Sequence, residues 1–133
     1  MRFTTPREKT VVIAVLLAVN LVLALLFDAL HSEAASIVLT VLQTVGWYLT
    51  TRVFRGPGEP VAAARPWWRM TNRPLLSGVL AAVYGLVAIV NIGFSFAGFG
   101  SASGTVSILA ELVLGSLFAL SFVRLGSLAR AAA

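Results

Sequence analysis

Four apolar stretches, each long enough to cross a lipid bilayer, leave this chain little freedom in what it can fold into. They lie at about residues 11–27, 34–51, 75–96 and 105–123 of a chain of 133. A membrane-crossing helix needs roughly 20 mostly apolar residues, with a range of about 17–25. Backbone polar groups inside hydrocarbon must be satisfied within their own segment, which makes each stretch a helix. Composition agrees: 59% of the residues are hydrophobic and 11% charged, against about 45–50% and 25% in soluble domains. An ordinary soluble domain and a disordered chain are both excluded. The reading is an all-α membrane protein, a single integral membrane domain over residues 1–133, built as a four-transmembrane-helix bundle.

The charges set the orientation. Lys and Arg concentrate on the cytoplasmic side of a span. All ten basic residues fall in three places. Arg2, Arg7 and Lys9 precede the first span. Arg52, Arg55, Arg65, Arg69 and Arg73 lie between the second and third, and Arg124 and Arg130 follow the fourth. The other two connections carry none. Both termini and the 52–74 loop are therefore expected in the cytoplasm, in a plasma (inner) membrane. The net charge of +5 is matched to anionic lipid headgroups rather than nucleic acid, because the cations sit at membrane boundaries without a recognisable binding module. A competing reading takes the first span as a cleaved signal peptide ending near Ser32-Glu33-Ala34. Its apolar run of about 17 residues exceeds the usual 7–15, which favours a retained span.

The 52–74 loop opens with a turn-forming run, Gly56-Pro57-Gly58-Glu59-Pro60. Its second half holds Arg65, Trp67, Trp68 and Arg69. Tryptophans prefer the headgroup level and arginines reach lipid phosphates. These four are expected to form an interfacial anchor. A docking patch for a headgroup or a protein is the sharper alternative.

An offset of 71 residues aligns Asn20 with Asn91, Ser36 with Ser107, Ile37 with Ile108 and Leu49 with Leu120. This is compatible with two parallel hairpin repeats, an arrangement known in transporters. Such a match also arises easily between any two apolar hairpins.

Polar groups inside the spans mark where function can reside, since a charge at the bilayer centre costs about 2.5–3.5 kcal/mol on insertion scales. Glu111 is the only acid in any span. Helical spacing places it with Gly104, Ser107, Gly115 and Ala119 on one side, small residues that let helices approach closely. A carboxyl that gains and loses a proton there can couple proton movement to a substrate, or bind a cationic one; a structural carboxyl bonded to a neighbouring span is the plain alternative. Thr40, Gln43, Thr44, Trp47 and Thr51 form a polar stripe on the second span, read first as helix–helix glue, with a substrate path through Thr40, Gln43 and Trp47 as the sharper alternative. Gln43 lies at a depth similar to Glu111, so a Gln43–Glu111 hydrogen bond is expected. Asn20 and Asn91 read first as packing residues. Gly78 and Gly85 on the third span, and Gly115 on the fourth, are read as close-packing positions.

No cysteine and one histidine are present, which removes disulfides, thiol catalysis and histidine-rich metal centres. Asp28, His31 and Glu33 share one loop and read as solvated. No phosphate-cradling loop, H-E-x-x-H motif or nucleophile elbow occurs, so no catalytic residue, metal or cofactor is expected. Tyr48-Leu49-Thr50-Thr51-Arg52-Val53-Phe54-Arg55 faintly resembles the end of the second span in GtrA-like proteins. Thr51 stands where that family carries Asn, the fourth span does not repeat the pattern, and no residue role is carried over. The function classes left open are a transporter, flippase or channel-like oligomer using Glu111, a non-catalytic accessory subunit of a larger membrane complex, and a holin-like permeabilising protein.

The orientation predicts that a reporter fused at Ser103 maps outside the cell and one at Glu59 inside. Accessibility labelling of the two fusions checks it, and the reverse pattern overturns it.

Overall fold

The computed structural model describes residues 3, 5–60 and 62–133; Arg2 lies outside them. It is all-helical, and four of its helices are long and apolar enough to span a membrane. Helix α1 covers Pro6–Ala29, α2 Glu33–Val53, α3 Pro74–Phe94 and α4 Ala102–Ala131, with a π-turn at Ser95–Phe99 after α3. Each expected span is present, and three of the four extend beyond their apolar stretch at both ends. The extensions follow from local chemistry. Thr5 and Glu8 form a capping box that starts α1 well ahead of its apolar stretch, with Pro6 in the first turn. Ser32 caps α2 and Ser101 caps α4 through their hydroxyls. At 1.5 Å per residue α4 is roughly 45 Å long, so its basic end projects past a hydrocarbon layer of about 30 Å.

The helices touch in the order α1, α2, α4, α3, with α3 against α4 the most extensive contact. Helices α1 and α3 make no substantial contact, so the bundle is an open arc. The core follows this order. Met70, Leu114 and Phe118 are buried, with Leu80, Ala81, Tyr84 and Leu117 packed around them. Tyr84 stacks on Phe118 with ring centroids 5.8 Å apart and planes 10° from parallel. No residue of α1 is buried. Its exposed leucines and valines suit a helix that lipid covers, since lipid is as apolar as leucine.

Gly115 permits the close approach of α4 to α3. A Cβ there would lie 3.3 Å from the Tyr84 Cβ and 3.9 Å from the Ala81 carbonyl oxygen. A Cβ on Gly78 would lie 3.0 Å from the Phe122 ring. Gly85 differs from the expectation, because a Cβ on it meets nothing within 4 Å. Below the core, Ser77 and Ser121 are fully buried and bond each other at 3.1 Å. Ser121 also accepts the Met70 amide at 3.2 Å, and Thr71 bonds Ser77 at 2.7 Å. These bonds fasten the end of the 52–74 loop to α3 and α4.

Gly115→Val should lower the thermal midpoint of the detergent-solubilised protein, by overpacking of about 1–3 kcal/mol, because Tyr84 Cβ is tied to its own helix. Gly85→Ala should stay within about 0.5 kcal/mol of the parent. A thermal melt of both variants checks this.

Candidate functional site

Two hollows enter the bundle from opposite ends and stop one helical turn apart. At the end bearing the hairpin turns, a cleft of about 260 Å³ lies between α3 and α4. Its polar lining is Asn91, Ser95, Ser107 and Glu111, with Phe94 and Phe99 beside them. The Asn91 Nδ2 donates to both Glu111 carboxylate oxygens, at 2.8 and 3.0 Å. Glu111 is nine residues into α4, roughly 13 Å from its start. At the basic end, a groove of about 720 Å³ lies between α1 and α3 and reaches Tyr84, Leu114 and Phe118. Leu114 follows Glu111 by three residues, roughly 4.5 Å along the helix. The buried Leu114 and Gly115, packed on Tyr84, separate the two hollows.

The structure places the sequence-derived residues as follows. Glu111 and Asn91 are brought together. The expected Gln43–Glu111 bond is not formed: Gln43 is half-buried on α2 and makes no hydrogen bond among the described residues. Equal depth is insufficient when α4 turns its Glu111 face towards α3. The threonines of the α2 stripe serve their own helix. Thr40 donates to the Ser36 carbonyl at 3.0 Å and Thr44 to the Thr40 carbonyl at 2.7 Å. Trp47 lines the large groove, away from Glu111. Asn20 is half-buried and has no bonded partner among the described residues. At the offset of 71, the Asn91–Glu111 pair falls on Asn20 and Thr40, so the first hairpin carries no second copy of the site. Asp28, His31 and Glu33 do not converge; among the described residues no cluster of three metal-ligating side chains occurs. Glu33 instead accepts the Ser103 amide at 3.1 Å, linking the two hairpin turns.

The 52–74 loop departs most from expectation. Arg65 does not face lipid. Its side chain is 3% exposed and holds Glu59, itself 4% exposed, through Nε–Oε1 at 2.8 Å and Nη2–Oε2 at 2.5 Å. The remaining Arg65 donors reach the Thr51 and Met70 carbonyls at 2.7 and 3.1 Å. Arg52 donates to the Pro66 and Arg69 carbonyls at 2.6 and 2.8 Å, and Arg55 to those of Arg52 and Ala63 at 2.8 and 3.2 Å. Arg69 donates to Asn72 and lies 3.9 Å from Glu59. Trp68 packs under the Arg124 guanidinium, 5.3 Å from the ring centroid. Only Trp67, 60% exposed, stands outward as an anchor should. A turn with Pro57 and Gly58 at its centre (Gly58 φ 75°) brings Glu59 back onto Gly56, whose amide donates to Glu59 at 3.0 Å. The missed signal is Glu59, the single acid in a loop of five arginines.

Burial by itself raises the Glu59 pKa. The Arg65 hydrogen bonds, the Gly56 amide and the charges of Arg65 and Arg69 outweigh it and hold the carboxyl at about 2.

Comparison of the chain with protein-family models, with curated proteins and with solved structures finds no match. What the chain does must therefore be argued from its own geometry.

A carboxyl whose pKa is depressed on folding stabilises the fold above its ordinary pKa of 4.5 and loses that contribution as pH falls towards about 2. The emission of Trp67 and Trp68 should therefore shift across that interval. Glu59→Gln, which breaks a buried pair at a local cost of about 3–5 kcal/mol, should abolish the shift and speed proteolysis of the loop at neutral pH. An unchanged titration in the variant would contradict the assignment.

Proposed function

We propose that this small multi-pass membrane protein is a transporter of flippase or channel-like type, acting as a homo-oligomer, with Glu111 as its proton-coupling group. The observation that carries the reading is the Asn91–Glu111 pair at the floor of one hollow, one turn from the end of a second hollow that opens at the opposite face. Alternating access needs a site exposed to the two faces in turn, and here only the Leu114–Gly115 turn would have to shift to open Glu111 to the second hollow. Asn91 suits a carboxyl that changes protonation. Its Nδ2 donates to the carboxylate, and its Oδ1, after rotation of the amide, accepts from the carboxylic acid. The pair thus retains a partner in both states. Asn20, Gln43, Thr40 and Trp47 have no place in this centre and are proposed only as lining or packing groups. The reading includes no catalytic residue and no cofactor, and it takes the basic end as cytoplasmic.

One observation favours a second reading, an accessory subunit of a larger membrane complex. Helix α1 buries none of its residues and so offers a full apolar face to a partner helix.

Glu111→Gln keeps the shape and the Asn91 bond but cannot titrate. In liposomes under an imposed potential, read with an internal pH dye, it should lower proton uptake at least about tenfold while leaving the size-exclusion profile unchanged. Equal uptake by parent and variant, together with a stoichiometric protein partner on gentle extraction from native membranes, would replace the transporter by the accessory subunit.

A further inference from the structure

The groove at the basic end is built differently from the Glu111 cleft. Its mouth and its depth have opposite chemistry. The depth is apolar: Ile13 on α1 faces Leu76 and Leu80 on α3, with Leu114 and Phe118 at the back. The mouth is lined by Lys9, Arg55, Arg65 and Arg73, and no acidic residue lines the groove anywhere. Arg65 is neutralised by Glu59. Lys9 and Arg73 have no such compensation: neither forms an ion pair among the described residues. Among the described residues the Lys9 ammonium donates only to the Arg55 carbonyl. Arg73 is exposed, and its guanidinium makes no hydrogen bond among the described residues. The two cations stand on opposite walls, Lys9 on the first turns of α1 and Arg73 as the N-cap of α3.

Those walls belong to the two helices that do not otherwise pack together. A volume of about 720 Å³ falls within the range of roughly 300–1,000 Å³ typical of ligand sites. With α1 and α3 as membrane spans, the gap between them would adjoin acyl chains along its apolar length and headgroups at its basic mouth.

We propose that this groove binds one anionic glycerophospholipid from the leaflet at the basic end, with its phosphate between Lys9 and Arg73 and a hydrocarbon chain along Ile13, Leu76 and Leu80. The charge pattern selects an anion and the apolar depth selects a chain. A soluble phosphate satisfies only the first, and a zwitterionic lipid carries its own cation to a mouth that already has an excess. Bound there, the phosphate bridges α1 to α3 and closes the arc that the protein leaves open. The inference stands independently of any proton coupling at Glu111.

Trp47 lines the groove and is one of three tryptophans, which provides a direct reading. The Trp67→Phe/Trp68→Tyr protein leaves Trp47 as the single indole. It is reconstituted in phosphatidylcholine vesicles containing a rising fraction of phosphatidylglycerol with brominated chains. The expected result is Trp47 quenching that saturates at a low mole fraction, well above the quenching that random lipid contact gives. Brominated phosphatidylcholine at the same fraction should give only the random level. Adding Lys9→Gln and Arg73→Gln should weaken the phosphatidylglycerol effect at least about tenfold, and Lys9→Arg with Arg73→Lys should restore it in the same background. Equal quenching by both lipids would overturn the charge-selected site. Quenching by phosphatidylglycerol at the random level would overturn binding in the groove. Undiminished quenching in a Lys9→Gln/Arg73→Gln protein that elutes as the parent does would overturn the assignment of the mouth.

Discussion

The close approach of α4 to α3 at Gly115 is the contact on which the rest of the molecule depends. Any side chain at that position would press on Tyr84 Cβ at 3.3 Å, and the two helices would have to move apart by a few tenths of an ångström. Their closeness brings Asn91 within hydrogen-bonding reach of Glu111 on one side of the contact. On the other side it builds the core of Leu114, Phe118 and Met70. In a bilayer there is no hydrophobic drive between helices, so association relies on packing and interhelical bonds. A bond of that kind averages about 0.6 kcal/mol, too little to hold the helices alone. Small residues supply the packing, and the polar pair adds direction.

The loop between α2 and α3 solves a different problem. It leaves α2 at Val53 and enters α3 at Pro74 with almost no regular structure, so its carbonyls need partners from elsewhere. Three arginines provide them. A guanidinium has five donors in a rigid fork, and Arg52, Arg55 and Arg65 each spread theirs over carbonyls of the loop or of the end of α2. One carboxylate, Glu59, pairs with Arg65 and leaves the cluster with an excess of positive charge. Arginines between two candidate membrane spans thus serve as the core of a small polar domain.

The helices were legible because their signal is long and needs no tertiary knowledge. Apolar runs alone locate α1 to α4 within a few residues at most ends. Glu111 was legible too, as the single acid in any span. Its partner was not. Gln43 and Asn91 both lie at a suitable depth, and depth is all that residue counting reports. Which helix faces which depends on Gly115 meeting Tyr84, a contact between residues 31 apart in the chain. The loop misled for a related reason. A Trp pair flanked by arginines describes both a lipid anchor and an arginine cluster folded on an acid. The choice rests on Glu59 returning through the Pro57-Gly58 turn to meet Arg65. The unequal hairpins, one carrying Asn91–Glu111 and the other Asn20 and Thr40 without a bond between them, are invisible to an alignment of apolar positions.

Helix α1 shows how these parts constrain one another. Its apolar face gains little from leaving lipid for protein, so packing along its length does not fix where it stands. Its ends do. Lys9 donates to the Arg55 carbonyl. Phe3, just ahead of the helix, exchanges backbone hydrogen bonds with Val53 and Arg55 at 3.1 and 3.0 Å and sets its ring edge-on to Phe54. The position of α1 is therefore referred to the start of the arginine-rich loop, and through Met70 and Ser121 that loop is referred to α3 and α4. The Lys9–Arg55 and Phe3–Phe54 contacts thus tie the α1 wall of the groove to the loop that supplies Arg55, Arg65 and Arg73 to its mouth. In so small a bundle the start of α1, the arginine-rich loop and the ends of α3 and α4 are thereby joined by one set of hydrogen bonds.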